Sequence, residues 1–265
     1  MASVWHLDTP WPKESDFNRV ISQVNSLFIY IKTLILALEH NEDPEESLQE
    51  ALQDSAGTGL ESLYTLYSNL LKVQIVHKTA EFQQMIGVLL TTSPYHALCD
   101  EMIAELAGVK PNLVKKWVDA LSSLLYQDEV ANRGIHVWHL LVYDFFVSDC
   151  CDYQVNLQDV DMELGITCLK VMTTQLRFNI CNLKDSWLAN ANIKDLPSRV
   201  KQNISDALQY SCLHWLDHLC LPPASPDQCA LVLGSLKKFF EGLFALFWIE
   251  ALSIMGKVPI GVPSL

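Results

Sequence analysis

Apolar side chains stand at Phe17, Val20, Ile21, Val24, Leu27, Phe28, Ile31, Leu34, Ile35 and Leu38. Steps of three and one make the wide stripe of a helix laid against a core. Further on, Asp43-Pro44-Glu45-Glu46 offers an N-cap, a proline at the first helical position and a carboxylate in the first turn, so a short acidic helix is expected there. Gly57-Thr58-Gly59 should end it. The next helix starts near Leu60, with Leu63, Tyr64, Tyr67, Leu70 and Leu71 on one face.

The middle of the chain has a different rhythm. A helix from about Ala80 to Leu90 stops at Ser93-Pro94, and a second from Leu98 to Ala107 stops at Gly108. After the turn Val109-Lys110-Pro111, a longer helix places Leu113, Val114, Trp117, Val118, Leu121, Leu124 and Leu125 inward. Arg133-Gly134 forms a turn. Ile135, Val137 and the run from Tyr143 to Val147 have strand-like composition. Three helices with a tight turn before the third, followed by a short hairpin, describe a winged-helix unit.

Helices then return, over about Asp161 to Leu176 and about Ser198 to Leu219, with a polar link holding Asn190, Asn192 and Asp195 between them. Ser225-Pro226-Asp227-Gln228 starts the last one, which runs to about Met255. The expected fold is mainly α: helical bundle segments around a central winged-helix-like unit that carries a short β-hairpin. Three segments follow from this, residues 1–78, 79–149 and 150–265.

Composition narrows the function classes. Half of the 265 residues are hydrophobic, which excludes disorder, and the net charge of −13 offers no long-range attraction to nucleic acid or anionic membrane. No apolar signal core opens the chain. Leu27 to Leu38 is too short to span a bilayer and holds Lys32, while Glu241 and Glu250 interrupt Phe239 to Met255. The eight cysteines form no Cys-x-x-Cys pair and read as reduced, buried groups. A cytoplasmic protein that spans no membrane is the expectation.

The residues that could carry chemistry are few. No Gly-x-x-x-x-Gly-Lys-Ser/Thr occurs, and Gly256-Lys257 is followed by valine, so a phosphate cradle is missing from the sequence. His214 and His218 share one helical face, and with Cys220 they form the best metal-like grouping. No Glu sits in the His-Glu-x-x-His position and no further ligand pair follows at finger spacing, so no metal is expected. Lys110, Lys115 and Lys116 on the third helix of the central unit could face phosphates or a protein partner. From Lys78 to Asp149 there are nine acidic and five basic residues, a balance that favours an interaction surface over a DNA-reading one. A winged-helix DNA-binding transcriptional regulator is the alternative. No nucleophile–base arrangement stands out, so a non-enzymatic role is expected.

The order of several short motifs resembles a known family. Ser26-Leu27-Phe28-Ile29-Tyr30 resembles a helix near the end of the NACHT ATPase unit in large fungal signalling proteins. Asp100-Glu101-Met102-Ile103-Ala104-Glu105-Leu106-Ala107-Gly108 resembles the start of their winged-helix domain. His136-Val137-Trp138-His139-Leu140 with Asp144-Phe145-Phe146 resembles their hairpin motif, although Trp138 and Leu141 replace its arginine and serine. Tyr210-Ser211-Cys212-Leu213-His214-Trp215 resembles the helical segment that leads to WD repeats in mushroom-type relatives. This resemblance implies a scaffold and switching module of a NACHT-type signalling protein, without its own P-loop, either a gene fragment or a short regulator. It implies His139 as a nucleotide-sensing residue. It also implies no cofactor in this chain, with ADP or ATP only when a NACHT P-loop unit is joined to it. Protein partners or full-length relatives are the implied partners.

Overall fold

The computed structural model describes residues 12–24, 27–39, 43–53, 59–75, 77, 79–128, 133–185, 187–220 and 225–261. Residues 1–11, Ser26, the Gly57-Thr58 break, Lys78 and Glu129 lie outside them. The chain is mainly α, with one two-stranded hairpin as the sheet among the described residues. It divides into two compact units: Met1–Asp100 with Lys110–Val155, and Glu101–Val109 with Asn156–Leu265.

The first unit opens with α1 (Glu14–Val24), α2 (Phe28–Glu39), α3 (Pro44–Gln53) and α4 (Leu60–Gln74). The Asp43 carboxylate accepts from the amides of Glu45 at 3.1 Å and Glu46 at 3.0 Å, which satisfies two free donors and starts α3 where the sequence places it. Tyr30 donates to Gln23 at 2.8 Å, and Arg19 donates to the Leu52 carbonyl at 2.8 Å. Tyr30, Leu34, Leu52, Leu63, Tyr67 and Leu71 are buried. The expected single stripe is divided, because two helices replace one: Val24, Leu34 and Leu38 are buried, whereas Phe17, Ile21, Phe28 and Ile35 remain exposed.

Next come α5 (Thr79–Thr92), α6 (Asp100–Ala107) and α7 (Pro111–Ala120). Most of α6 belongs to the second unit, while α5 and α7 belong to the first. Trp117 of α7 meets Phe82 of α5 edge to face at 5.5 Å and is buried. Leu121, Leu124 and Leu125, expected inside the helix, lie beyond its end. The amides of Leu124 and Leu125 both turn back to the Leu121 carbonyl at 2.8 Å, and the chain enters β1 (Leu125–Gln127). This strand pairs antiparallel with β2 (Ile135–Val137), with Tyr126 opposite His136. Gly134 sets the approach to β2, since a Cβ there would lie 2.7 Å from the Ala97 Cβ and 3.1 Å from its carbonyl oxygen.

The hairpin therefore sits one element earlier than the composition implies. The run from Tyr143 to Val147, expected as a strand, lies in α8 (Leu140–Val147). His139 Nδ1 accepts from the Leu141 amide at 3.1 Å and caps that helix. Val142, Phe145 and Phe146 are buried, a spacing of three and four that a helix turns to one side.

The second unit contains α9 (Leu157–Gln175), α10 (Leu196–Asn203), α11 (Asp206–His218), α12 (Pro226–Glu241), α13 (Phe244–Met255) and the short α14 (Val258–Gly261). Helices α9 and α11 pack along one another, and Cys168, Leu169, Met172, Leu208, Cys212 and Trp215 are all buried. Trp215 lies 5.4 Å from Phe239 and 5.9 Å from Trp248, and Trp248 donates to the Cys212 carbonyl at 2.8 Å.

Two helices expected to be continuous are broken. The span from Ser198 to Leu219 divides at Ile204-Ser205, where Ser205 Oγ accepts from the Leu208 amide at 3.1 Å. The span from Ser225 to Met255 begins with its expected serine cap at 3.2 Å but divides at Gly242-Leu243, where Leu243 takes φ 62. All eight cysteines are free and four are buried; burial pushes the Cys168 thiol up to about 12. No described helix is long and apolar enough to cross a membrane.

Candidate functional site

The hairpin of the first unit arranges an unbroken row of side chains. Strand pairing sets Tyr126 opposite His136, and their rings stack at 5.0 Å with 16° between planes. Trp138 follows on the other side of Tyr126 at 4.4 Å. The Trp138 indole donates to the Ser122 carbonyl at 2.8 Å, which holds the ring over the strand. At one end of the row, His136 Nε2 lies 2.9 Å from an Asp128 carboxylate oxygen. At the other, the Lys32 ammonium of α2 sits over the Trp138 ring, 3.6 Å from its centroid, well inside cation–π range.

Large apolar side chains on α2 and α8 are exposed as well. Leu140 is 68% exposed and Phe28 is 83% exposed. Phe28 and Ile35 lie on the same side of α2 as Lys32, since steps of three and four share a helix face. His139 is exposed beside Trp138. Its Nδ1 is taken by the α8 cap, so Nε2 is the nitrogen left for a ligand. The face thus combines a positive charge, a histidine and large apolar groups, a combination suited to docking. Sequence reasoning names His139 here but misses Tyr126, His136 and Trp138 as a row, and Lys32 as its end. Alternation of Tyr126 with its neighbours is the available signal; the reach of α2 to the hairpin is a tertiary fact.

Lys110, Lys115 and Lys116 are separate from this row. All three are exposed on or just before α7. Lys110 holds the N-cap position without a side-chain bond to the helix, and none of the three has an ion-pair partner among the described residues.

In the second unit, His214, His218 and Cys220 already have protein partners. His218 is fully buried; its Nδ1 lies 2.7 Å from an Asp161 oxygen on α9, and its Nε2 lies 2.7 Å from the Tyr210 hydroxyl. A carboxylate only accepts, so Nδ1 carries the hydrogen towards Asp161 and Nε2 accepts from Tyr210 in the neutral ring. Burial holds the imidazole below its ordinary pKa despite the Asp161 charge, which pulls the other way. His214 pairs with Asp217 at 2.9 Å, and the Cys220 thiol donates to the Leu216 carbonyl at 3.1 Å. These three residues do not bring three ligand atoms within 4.8 Å of one another. His218 alone of this pair links α9 to α11, through a buried hydrogen-bond chain from Asp161 to Tyr210.

The chain is 23% identical over 270 aligned residues to the vegetative incompatibility protein HET-E-1 of Podospora anserina. No protein-family model matches the chain, and no solved structure matches it significantly. The alignment covers 92% of this chain and 19% of HET-E-1, so the chain spans about a fifth of the curated relative it matches. Over nearly its whole length, this chain is distantly similar to one stretch of a fungal incompatibility protein.

Proposed function

We propose that this chain is a non-catalytic interaction and switching module of the NACHT type, acting with a P-loop-bearing unit that it does not itself contain. The observation that carries this reading is the alignment of 92% of the chain within 19% of HET-E-1, together with the motif order that resembles NACHT signalling proteins. Residues 79–149 take the place of the winged-helix part, and residues 150–265 take the place of the helical segment beyond it. The face formed by Phe28, Lys32, Trp138, His139 and Leu140 docks onto the nucleotide-binding unit. ADP or ATP is bound by that partner, and His139 Nε2 reports the nucleotide state across the contact.

The test is association of the full chain with the P-loop unit of a full-length NACHT relative, read by analytical ultracentrifugation in ADP and in a non-hydrolysable ATP analogue. The expected result is tighter association in ADP. His139→Ala should erase the difference between nucleotides, and Trp138→Ala should weaken both complexes. Equal or absent association in both nucleotides overturns the proposal. The exposed lysines on α7 favour a second reading as a DNA-binding regulator; a shift of duplex DNA that weakens steeply with salt would replace the first reading with it.

A further inference from the structure

The second unit contains an open cleft of about 600 Å³ between the turn at Asn190–Asn192, α10, α11 and the end of α13. That volume lies within the roughly 300–1,000 Å³ of small-molecule sites. Its wall is mostly aliphatic, with Leu196, Val200, Leu213, Ile254 and Met255 contributing. Two exposed lysines, Lys194 and Lys257, are part of its lining, and no carboxylate is. In a chain with a net charge of −13 that local balance is unusual.

The lysines are available as well as present. Neither has an ion-pair partner among the described residues. The acids closest in sequence are engaged elsewhere: Asp195 binds Arg199 at 2.8 Å, and Glu250 accepts from the Asn179 amide at 3.2 Å. Two last-turn carbonyls of α13 are also occupied. Leu252 accepts from the Lys257 amide, and Ser253 accepts from the Gly256 amide and from the Asn190 side chain at 2.9 Å. An anion entering the cleft therefore meets two ammonium groups and no lining carboxylate, beside a wall that favours hydrocarbon.

We infer that this cleft binds a single-chain anionic amphiphile, its carboxylate or phosphate head held by Lys194 and Lys257 and its hydrocarbon body laid on Val200, Leu213 and Ile254. This site is independent of the docking face on the first unit. Isothermal titration of the full chain with octanoate, decanoate and dodecanoate below their micelle concentrations tests it. Saturable one-to-one binding is expected, weakening about fourfold for each methylene removed. The double variant Lys194→Glu/Lys257→Glu, at two exposed positions, should lose at least tenfold in decanoate affinity while its weak binding of 1-decanol is unchanged. Dodecyl phosphate binding tighter than dodecanoate assigns a phospholipid-derived head; the reverse assigns a free fatty acid. Absence of saturable binding, or equal binding of decanoate before and after charge reversal, overturns the inference.

Discussion

His218 is the residue whose surroundings constrain it most. It is buried between Asp161 and Tyr210, and burial lowers its affinity for a proton relative to the unfolded chain. As pH falls through its ordinary value near 6.5, the unfolded chain takes up that proton first, so the stability His218 confers is present above that pH and is lost below it. One such group changes stability by at most about 1.4 kcal/mol per pH unit, or roughly 2–4 °C in Tm for a chain of this size. Thermal unfolding followed by circular dichroism from pH 7.5 to 5.5 should show this fall in the native chain and a flatter profile in His218→Gln. An unchanged slope in the variant would mean that His218 takes up its proton equally in the folded and the unfolded chain. Tyr210→Phe, which removes one buried hydroxyl donor, should cost about 1 kcal/mol at neutral pH. From sequence, the spacing of His214 and His218 gives only a weak metal-like grouping on one face, with no metal expected; Asp161, which claims Nδ1, lies on another helix and is invisible to spacing.

At the level of elements, breaks matter more than periods. Leu243 sits at φ 62 between α12 and α13, a conformation that costs an L-residue roughly 1–2 kcal/mol. There the usual order of substitution should reverse: Leu243→Gly should be more stable than Leu243→Ala by about 1 kcal/mol in urea unfolding. A more stable alanine variant would place the joint in an ordinary helical conformation. At the hairpin the opposite holds. Gly134→Ala drives a Cβ into Ala97 at 2.7 Å, and the main-chain atoms behind it do not yield as a side-chain tip would. A loss of about 1–3 kcal/mol is expected, measured by the same urea titration.

Two helix starts were legible in the sequence because caps are local: Asp43 and Ser225 act as they read. Interior breaks were not, since Gly242-Leu243 and Ile204-Ser205 interrupt an unbroken apolar period. The Tyr143 to Val147 run misleads for the reverse reason: its aromatic and branched residues suit a strand, but the His139 cap and the burial of Val142, Phe145 and Phe146 fix a helix. The aromatic row on the hairpin was half legible, with His139 visible through its motif and Lys32 hidden by distance along the chain.

For the whole molecule, charge is the dominant long-range term. A net charge of −13 opposes compaction through self-repulsion. Raising sodium chloride from 10 to 150 mM shortens the screening length from about 30 to about 8 Å, so Tm should rise by a few degrees. A fall instead would mean that attractive pairs outweigh the repulsion. The division into units also has a temporal side. Helix α6 is encoded between two stretches of the first unit, yet its body packs with the second. A ribosome therefore releases Met102, Ile103 and Leu106, all buried when folded, long before residues 156–265, the rest of their unit, exist. At roughly 5–20 residues per second that interval lasts on the order of ten seconds, in which the nascent chain displays a sticky apolar helix and is a natural client for chaperones.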